Sequence, residues 1–188
     1  MIPVKDDIPT DRAPLVTLVL LAVFAAAGVV FGGGVVPWVA AIILLWFAGP
    51  SVEDAMGRGP FLVFAACAGA LGFSVELAVD SDHAVYAIAA ASAIVTAATA
   101  AHVLLYPWAR ILGVAMAPFF FTIVGVPLLA IVAVWVVVQV LVGALDWGEV
   151  PVAAQAAGAV FGLVFARLLA RHVKTPDDLL QRGRPHAT

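Results

Sequence analysis

Few residues in this chain have types that could do chemistry. Ser92 sits in an alanine-rich run from Ala87 to Ala101 whose other polar residues are Thr96 and Thr99. A serine in such surroundings is a nucleophile only if a neighbouring base takes its proton. Otherwise it is a small residue that lets helices approach closely. Gln155, shortly before Gly158 and Gly162 in a later apolar segment, is the polar residue placed to meet it, but an amide has no protonation near neutral pH and cannot act as a general base. A Ser92–Gln155 hydrogen bond would satisfy two buried polar groups and do no catalysis. His83 and His102 are nine and ten residues from Ser92, roughly 13 to 15 Å along one helix and out of hydrogen-bond reach. His83 would have to fold back from a loop, His102 reads as an interhelical hydrogen bonder, and His172 and His186 fall in the C-terminal tail. Asp80, Asp82 and His83 could bind a metal, yet three residues in a short loop read more simply as a solvated acidic turn. No metal and no cofactor is expected. Glu76, one turn before Asp80, is expected to reach the membrane interface. Cys67 stands alone, so no intramolecular disulfide can form, and it reads as a small core residue.

The elements that must position these residues follow from composition. With 64% hydrophobic and 11% charged residues and a mean hydropathy of +1.13, the 188-residue chain cannot build a water-soluble surface. Charges are absent from Ala13 to Val52, Gly59 to Val75, Ala84 to Ala109, Ile111 to Leu145 and Val150 to Ala166. These runs are continuous rather than alternating, so they predict helices crossing a bilayer, each needing about 20 apolar residues. The first run is long enough for two, divided by Gly32-Gly33-Gly34 and Pro37. The expected spans are roughly Leu15 to Phe31, Val36 to Phe47, Phe61 to Val79, Ala84 to Leu105, Pro127 to Leu145 and Val152 to Ala170. Between the fourth and fifth, Ile111 to Val126 contains Pro118 and suits an interfacial or re-entrant stretch. The division is a segment 1–14, an all-α membrane domain 15–170 and a tail 171–188.

Six spans place all nine bases, Lys5, Arg12, Arg58, Arg110, Arg167, Arg171, Lys174, Arg182 and Arg184, on one side. By the positive-inside bias this side is cytoplasmic. The opposite connections carry Asp80, Asp82, Asp146 and Glu149, so both termini are expected in the cytoplasm of a multi-pass cell-membrane protein. A net charge of -3 without a basic cluster argues against nucleic-acid binding. The lipid bilayer is the partner that composition demands.

Several stretches, taken in order, resemble the rhomboid family of intramembrane serine proteases. They are the opening Met1-Ile2-Pro3 with Asp6-Asp7-Ile8-Pro9-Thr10, the turn Leu45-Trp46-Phe47-Ala48-Gly49-Pro50-Ser51-Val52-Glu53 through Gly57-Arg58, and Tyr106-Pro107-Trp108-Ala109-Arg110. Phe120-Phe121-Thr122-Ile123-Val124 with Trp135 and Gln139, and Gly158 to Gly162 with Ala166-Arg167-Leu168-Leu169, complete the series. The resemblance implies a bundle of six transmembrane helices. It also implies a catalytic pair, and here the match fails. The family's Gly-x-Ser-Gly falls on Ala90-Ala91-Ser92-Ala93, its histidine on Gln155, and its oxyanion-binding histidine and asparagine on Pro37 and Ala41. Its long connection between the first two spans shrinks to about Phe31 to Val35.

Losing a base from a serine triad costs about 10⁶ in turnover and an oxyanion donor about 10² to 10³. The expectation is therefore a rhomboid-like pseudoprotease in which Ser92 keeps the nucleophile position unused. In place of cleavage, the resemblance implies binding of transmembrane segments of client proteins. The alternative is an active intramembrane serine endopeptidase in which Ser92 uses an unorthodox base such as His83.

Overall fold

The computed structural model describes residues 2–6, 8, 10–31, 35–79, 86–117, 120–144 and 151–175. In chain order they form β1 (Ile2–Asp6), α1 (Leu15–Phe31), α2 (Val35–Met56), α3 (Arg58–Val79), α4 (Tyr86–Leu105), β2 (Arg110–Ala117), β3 (Phe120–Pro127), α5 (Leu128–Ala144) and α6 (Val152–Leu169). The six helices fall where the charge-free runs place them. Four of them, α2, α3, α4 and α6, are long and apolar enough to cross a membrane. α1 and α5 are equally apolar at 17 residues each, about 25 Å at helical rise. Gly32, Gly33 and Gly34, expected to divide the first two spans, lie outside the described residues, as do Asp146, Glu149, Arg182 and Arg184.

α2 departs from expectation by continuing through Pro50 to Met56. Proline lacks an N–H and clashes with the preceding turn, but the turn after Pro50 is held by contacts from another helix. Glu53 is 3% exposed, and its Oε1 accepts from the Val16 N–H at 3.1 Å while Oε2 accepts from the Thr17 N–H and the Thr17 hydroxyl, both at 2.8 Å. These N–H groups lie in the first turn of α1, which no intrahelical carbonyl can serve, and a carboxyl at that positive helix end is favoured further by the dipole. Glu53 thus caps α1 from α2. The two helices are close enough here that a Cβ on Gly49 would press on the Thr17 side chain.

α2 ends at Gly57, whose φ of 86° is the left-handed conformation of a helix C-cap, and α3 begins at once. Nearby, the Lys174 ammonium bridges Asp54 at 2.7 Å and Asp11 at 3.2 Å. The Arg171 and His172 N–H groups donate to the Ala55 carbonyl, and the Arg58 guanidinium donates to the Ala13 carbonyl. The segment before α1, the α2–α3 turn and the segment after α6 are thereby pinned together. Arg12, Arg58, Arg167, Arg171 and Lys174 all gather at this end of the bundle, as the charge distribution requires.

α4 is the centre, packed against α2, α3 and α6, with α1 outside α2 and α5 touching α4 more lightly. Its alanine-rich surface allows this: on α6, a Cβ at Gly158 would strike the Ala93 carbonyl, and one at Gly162 the Ala97 carbonyl. On the α3 side a Cβ at Gly72 would strike the Ala93 side chain. α2 is tied to α4 by the Ser51 hydroxyl and His102 Nδ1, which share a 2.7 Å hydrogen bond with both residues 1% exposed.

Residues 111–126, expected to be interfacial or re-entrant, contain an antiparallel strand pair. β2 pairs with β3 from Arg110↔Pro127 to Ala117↔Phe120, and β1 joins the other edge of β2, giving the order β1-β2-β3. Valine, isoleucine, phenylalanine and threonine dominate β3, residue types that suit a pleated strand better than a helix. Pro127 stands at the end of β3, an edge strand of the described sheet, where proline is tolerated. Pro118, which falls between the two strands in sequence, lies outside the described residues.

Two consequences can be measured in detergent by reversible unfolding. Glu53→Ala leaves three donors without an acceptor and is expected to lose about 2–4 kcal/mol, with Glu53→Gln, which keeps one acceptor oxygen, losing about half as much. A loss under about 0.5 kcal/mol for Glu53→Ala would refute the cap. Gly162→Val drives a side chain into the α4 backbone and is expected to cost about 3 kcal/mol or more, whereas Leu163→Val, on the exposed face, should stay within about 0.5 kcal/mol of wild type.

Candidate functional site

Ser92 lies about a third of the way along α4 and is 8% exposed. Its carbonyl accepts from the Thr96 hydroxyl at 2.9 Å, and that hydroxyl also approaches the Ala93 carbonyl at 3.2 Å. These contacts satisfy the threonine within its own helix and leave it small enough for α6 to close over it. Gln155 is partly buried on α6, one turn before Gly158. The glycine contacts bring the helices carrying Ser92 and Gln155 together, as their spacing suggests, yet no hydrogen bond joins the two side chains among the described residues.

No described histidine serves Ser92. His102 is on the same helix but nearly three turns further on, bound to Ser51 on α2. That pair has the atoms of a nucleophile and its base, but with both members closed off from solvent it acts as an interhelical clasp, in line with the reading of His102 as a hydrogen bonder. Ser51 lies within the turn that carries the family resemblance, but that resemblance assigns it no role. The signal available is its place beside Glu53, where two polar residues interrupt an apolar segment. His172 is exposed on the segment after α6. Asp80, Asp82, His83 and His186 lie outside the described residues.

Two sequence expectations are corrected. Glu76 is 6% exposed rather than at the interface. It follows Gly69 and Gly72 at helical spacing on the face of α3 turned to α4, so the close packing that buries the glycines buries the carboxyl as well. Cys67 is exposed rather than in the core, because it belongs to the opposite face of α3, with Leu62, Val63 and Ala70.

A cleft of about 390 Å³ opens where α5 stands off from α4 and α6. Its volume is in the roughly 300–1,000 Å³ range of ligand pockets. Leu44, Leu129, Val132 and Leu163 give it an apolar wall, and its polar lining consists of Thr96, Thr99, Trp135 and Gln155. Thr99 Oγ1 and Trp135 Nε1 are buried there with no hydrogen-bond partner among the described residues. A buried donor left unmade costs about 1–3 kcal/mol. The cleft therefore combines an apolar groove with two residues whose buried donors have no hydrogen-bond partner among the described residues. Among the described residues no group of His, Cys, Asp and Glu is arranged to hold a metal ion.

Comparison with known proteins gives no match to a curated protein and none to a solved structure. A family model does match, the Rhomboid domain, over residues 29–172. That span runs from the end of α1 to the segment after α6 and takes in Ser92, Gln155 and the cleft between α4, α5 and α6, so the chain belongs to the rhomboid family.

Proposed function

We propose that this rhomboid-family protein crosses the cell membrane six times with both termini in the cytoplasm, and that it binds transmembrane segments of client proteins without cutting them. The observation that supports the reading is that α6, packed on α4 through Gly158 and Gly162, carries Gln155, an amide rather than a base, at the position to which the resemblance assigns the family's histidine. A serine hydroxyl has no nucleophilic strength unless its proton is removed. The nearest described histidine on the same helix is held by Ser51, and at the oxyanion positions proline and alanine, Pro37 and Ala41, are residue types with no side-chain donor.

The cleft supports the binding half of the proposal. A client helix entering beside α5 meets an apolar wall that lipid and protein fit equally well, so selectivity comes from polar groups. Thr99 Oγ1 and Trp135 Nε1 supply donors, and a client backbone carbonyl freed at a kink or helix end supplies the acceptor. The lighter packing of α5 lets it move aside without breaking the Gly158 and Gly162 contacts.

Two experiments test this. A serine-directed fluorophosphonate is expected to label neither wild type nor Ser92→Ala in native membranes. Labelling of wild type that Ser92→Ala abolishes would overturn the non-catalytic reading in favour of a protease with an unorthodox base. A photocrosslinker at Ala156, in the wall of the cleft, should capture membrane-protein clients that a crosslinker at Leu62, on the far side of α3, does not. Thr99→Val and Trp135→Phe should each lower that capture by about tenfold, the worth of one buried hydrogen bond, while leaving unfolding of the free protein unchanged or slightly harder. Undiminished capture by both variants would sink the assigned role of the donors.

A further inference from the structure

The sheet β1-β2-β3 is not needed for the contact between α4 and α6, and its composition demands a covering. An antiparallel sheet with one face in water alternates polar and apolar residues. Here the register puts Ile111, Gly113, Ala115, Ala117, Phe120, Thr122, Val124 and Val126 at positions of one face, and Leu112, Val114, Met116, Phe121, Ile123 and Gly125 at positions of the other. Beyond Arg110 neither set of positions carries a charge. The main packing partners of β2 and β3, apart from each other, are β1 and, at the base of β3, α5, which follows it directly. Strands of eight residues reach about 25 Å. Among the described elements no helix other than α5 makes a substantial backbone approach to β2 or β3.

Charge tells which way the sheet must lie. Lys5 and Asp6 pair with Leu112 and Ile111, beside Arg110, so every charge in the sheet is at its base. That base sits at the end of the bundle where Arg12, Arg58, Arg167 and Arg171 are exposed, the end suited to anionic headgroups. β3 then runs into α5 with no charged residue between Ile111 and Leu145, so the apolar sequence of the strands is continuous with that of an apolar helix. Among the described residues the outer edge of β3 has no strand beside it. Open sheet edges do not survive in hydrocarbon, whereas water and headgroups can satisfy them.

We propose that the β1-β2-β3 sheet is a membrane-surface element, lying along the leaflet at the base-rich end of the bundle with β2 and β3 at the boundary between phospholipid headgroups and acyl chains. The sheet anchors α4 and α5 laterally from a point outside the helical bundle, independently of any client.

The test uses the full chain in phosphatidylethanolamine–phosphatidylglycerol vesicles. In a Cys67→Ala background, Ala115→Cys and Met116→Cys, on opposite register faces, and Thr175→Cys, an exposed control, are each labelled with an environment-sensitive fluorophore. Both strand positions should show several-fold less iodide quenching than Thr175→Cys. They should also be quenched more by a spin label placed high on the acyl chain than by one near its end. Iodide access equal to that of the control would overturn the proposal. So would protection that appears only when vesicles hold several copies, because a second copy would then be the cover. The unlabelled chain gives an independent reading: a phospholipid with a photoreactive group beside its ester should form adducts within 111–124. Adducts on α5 with none on that segment would overturn the proposal without any variant.

Discussion

Two apolar helices in hydrocarbon gain nothing by hiding from lipid, since lipid tails are as apolar as their own side chains. Closeness holds them instead: short contacts between backbones that no lipid can match. In this protein the requirement falls on the crossing of α6 over α4, where Gly158 and Gly162 lie against the Ala93 and Ala97 carbonyls. The alanines of α4 extend the same condition to α3 through Gly72. Move α6 outward by one methyl group and α4 loses its tightest neighbour, the wall carrying Gln155 shifts, and the cleft beside α5 changes shape. The rest of the architecture is arranged around keeping that crossing tight.

The buried polar groups divide along the axis of the bundle. At the base-rich end they tie elements together: Glu53 caps α1, Ser51 holds His102, and Lys174 joins Asp54 to Asp11. Each bond fastens segments far apart in sequence, so this end behaves as a clamp on helices whose other contacts are mostly apolar. Further in, Thr99 Oγ1 and Trp135 Nε1 are left unmatched at the cleft among the described residues. Rigid at one end and polar but unsatisfied in the middle is the arrangement expected of a bundle that opens on one side while its base stays shut, which is why the client-binding proposal places the moving element at α5 and not at α2.

Much of this is legible in the sequence because the bilayer is a severe solvent. Helix existence follows from the length of the charge-free runs, and the gathering of the basic residues follows from counting which connections hold them. Gly158 and Gly162 announce the α4–α6 contact through their spacing. Tertiary rescues and choices of face are hidden. Pro50 reads as a helix end, and only the capping of α1 by Glu53, 36 and 37 residues away in sequence, explains why α2 continues beyond it. The faces of α3 are almost indistinguishable by hydropathy, so a reading by composition puts Cys67 and Glu76 in the wrong environments. The paired strands are hidden for a related reason: apolar at alternate positions of both registers, they show neither the period of a helix nor that of a half-buried strand, and their form emerges only from residue type and pairing. The site is legible as residues and not as geometry. Spacing sets Ser92 and Gln155 on helices that meet, but the donors of Thr99 and Trp135 matter through their burial, which no spacing encodes.

The stability of the scaffold does not draw on the side chains that the family uses for catalysis. The clamp at the base and the Ser51–His102 clasp involve none of Pro37, Ala41 and Gln155, the positions to which the resemblance assigns the family's histidines and asparagine, and the α4–α6 crossing rests on glycines and backbone carbonyls. Catalytic groups in a membrane impose a cost, because a nucleophile, a base and oxyanion donors must be kept dry yet unpaired until substrate arrives. Proline, alanine and an amide at those positions impose less of that cost and leave undisturbed the contacts that hold the helices. By the same logic valine and phenylalanine, of similar shape, would cost less than Thr99 and Trp135. Two buried donors without a partner among the described residues, at the wall of an apolar cleft, are therefore the feature on which the proposed binding of clients rests.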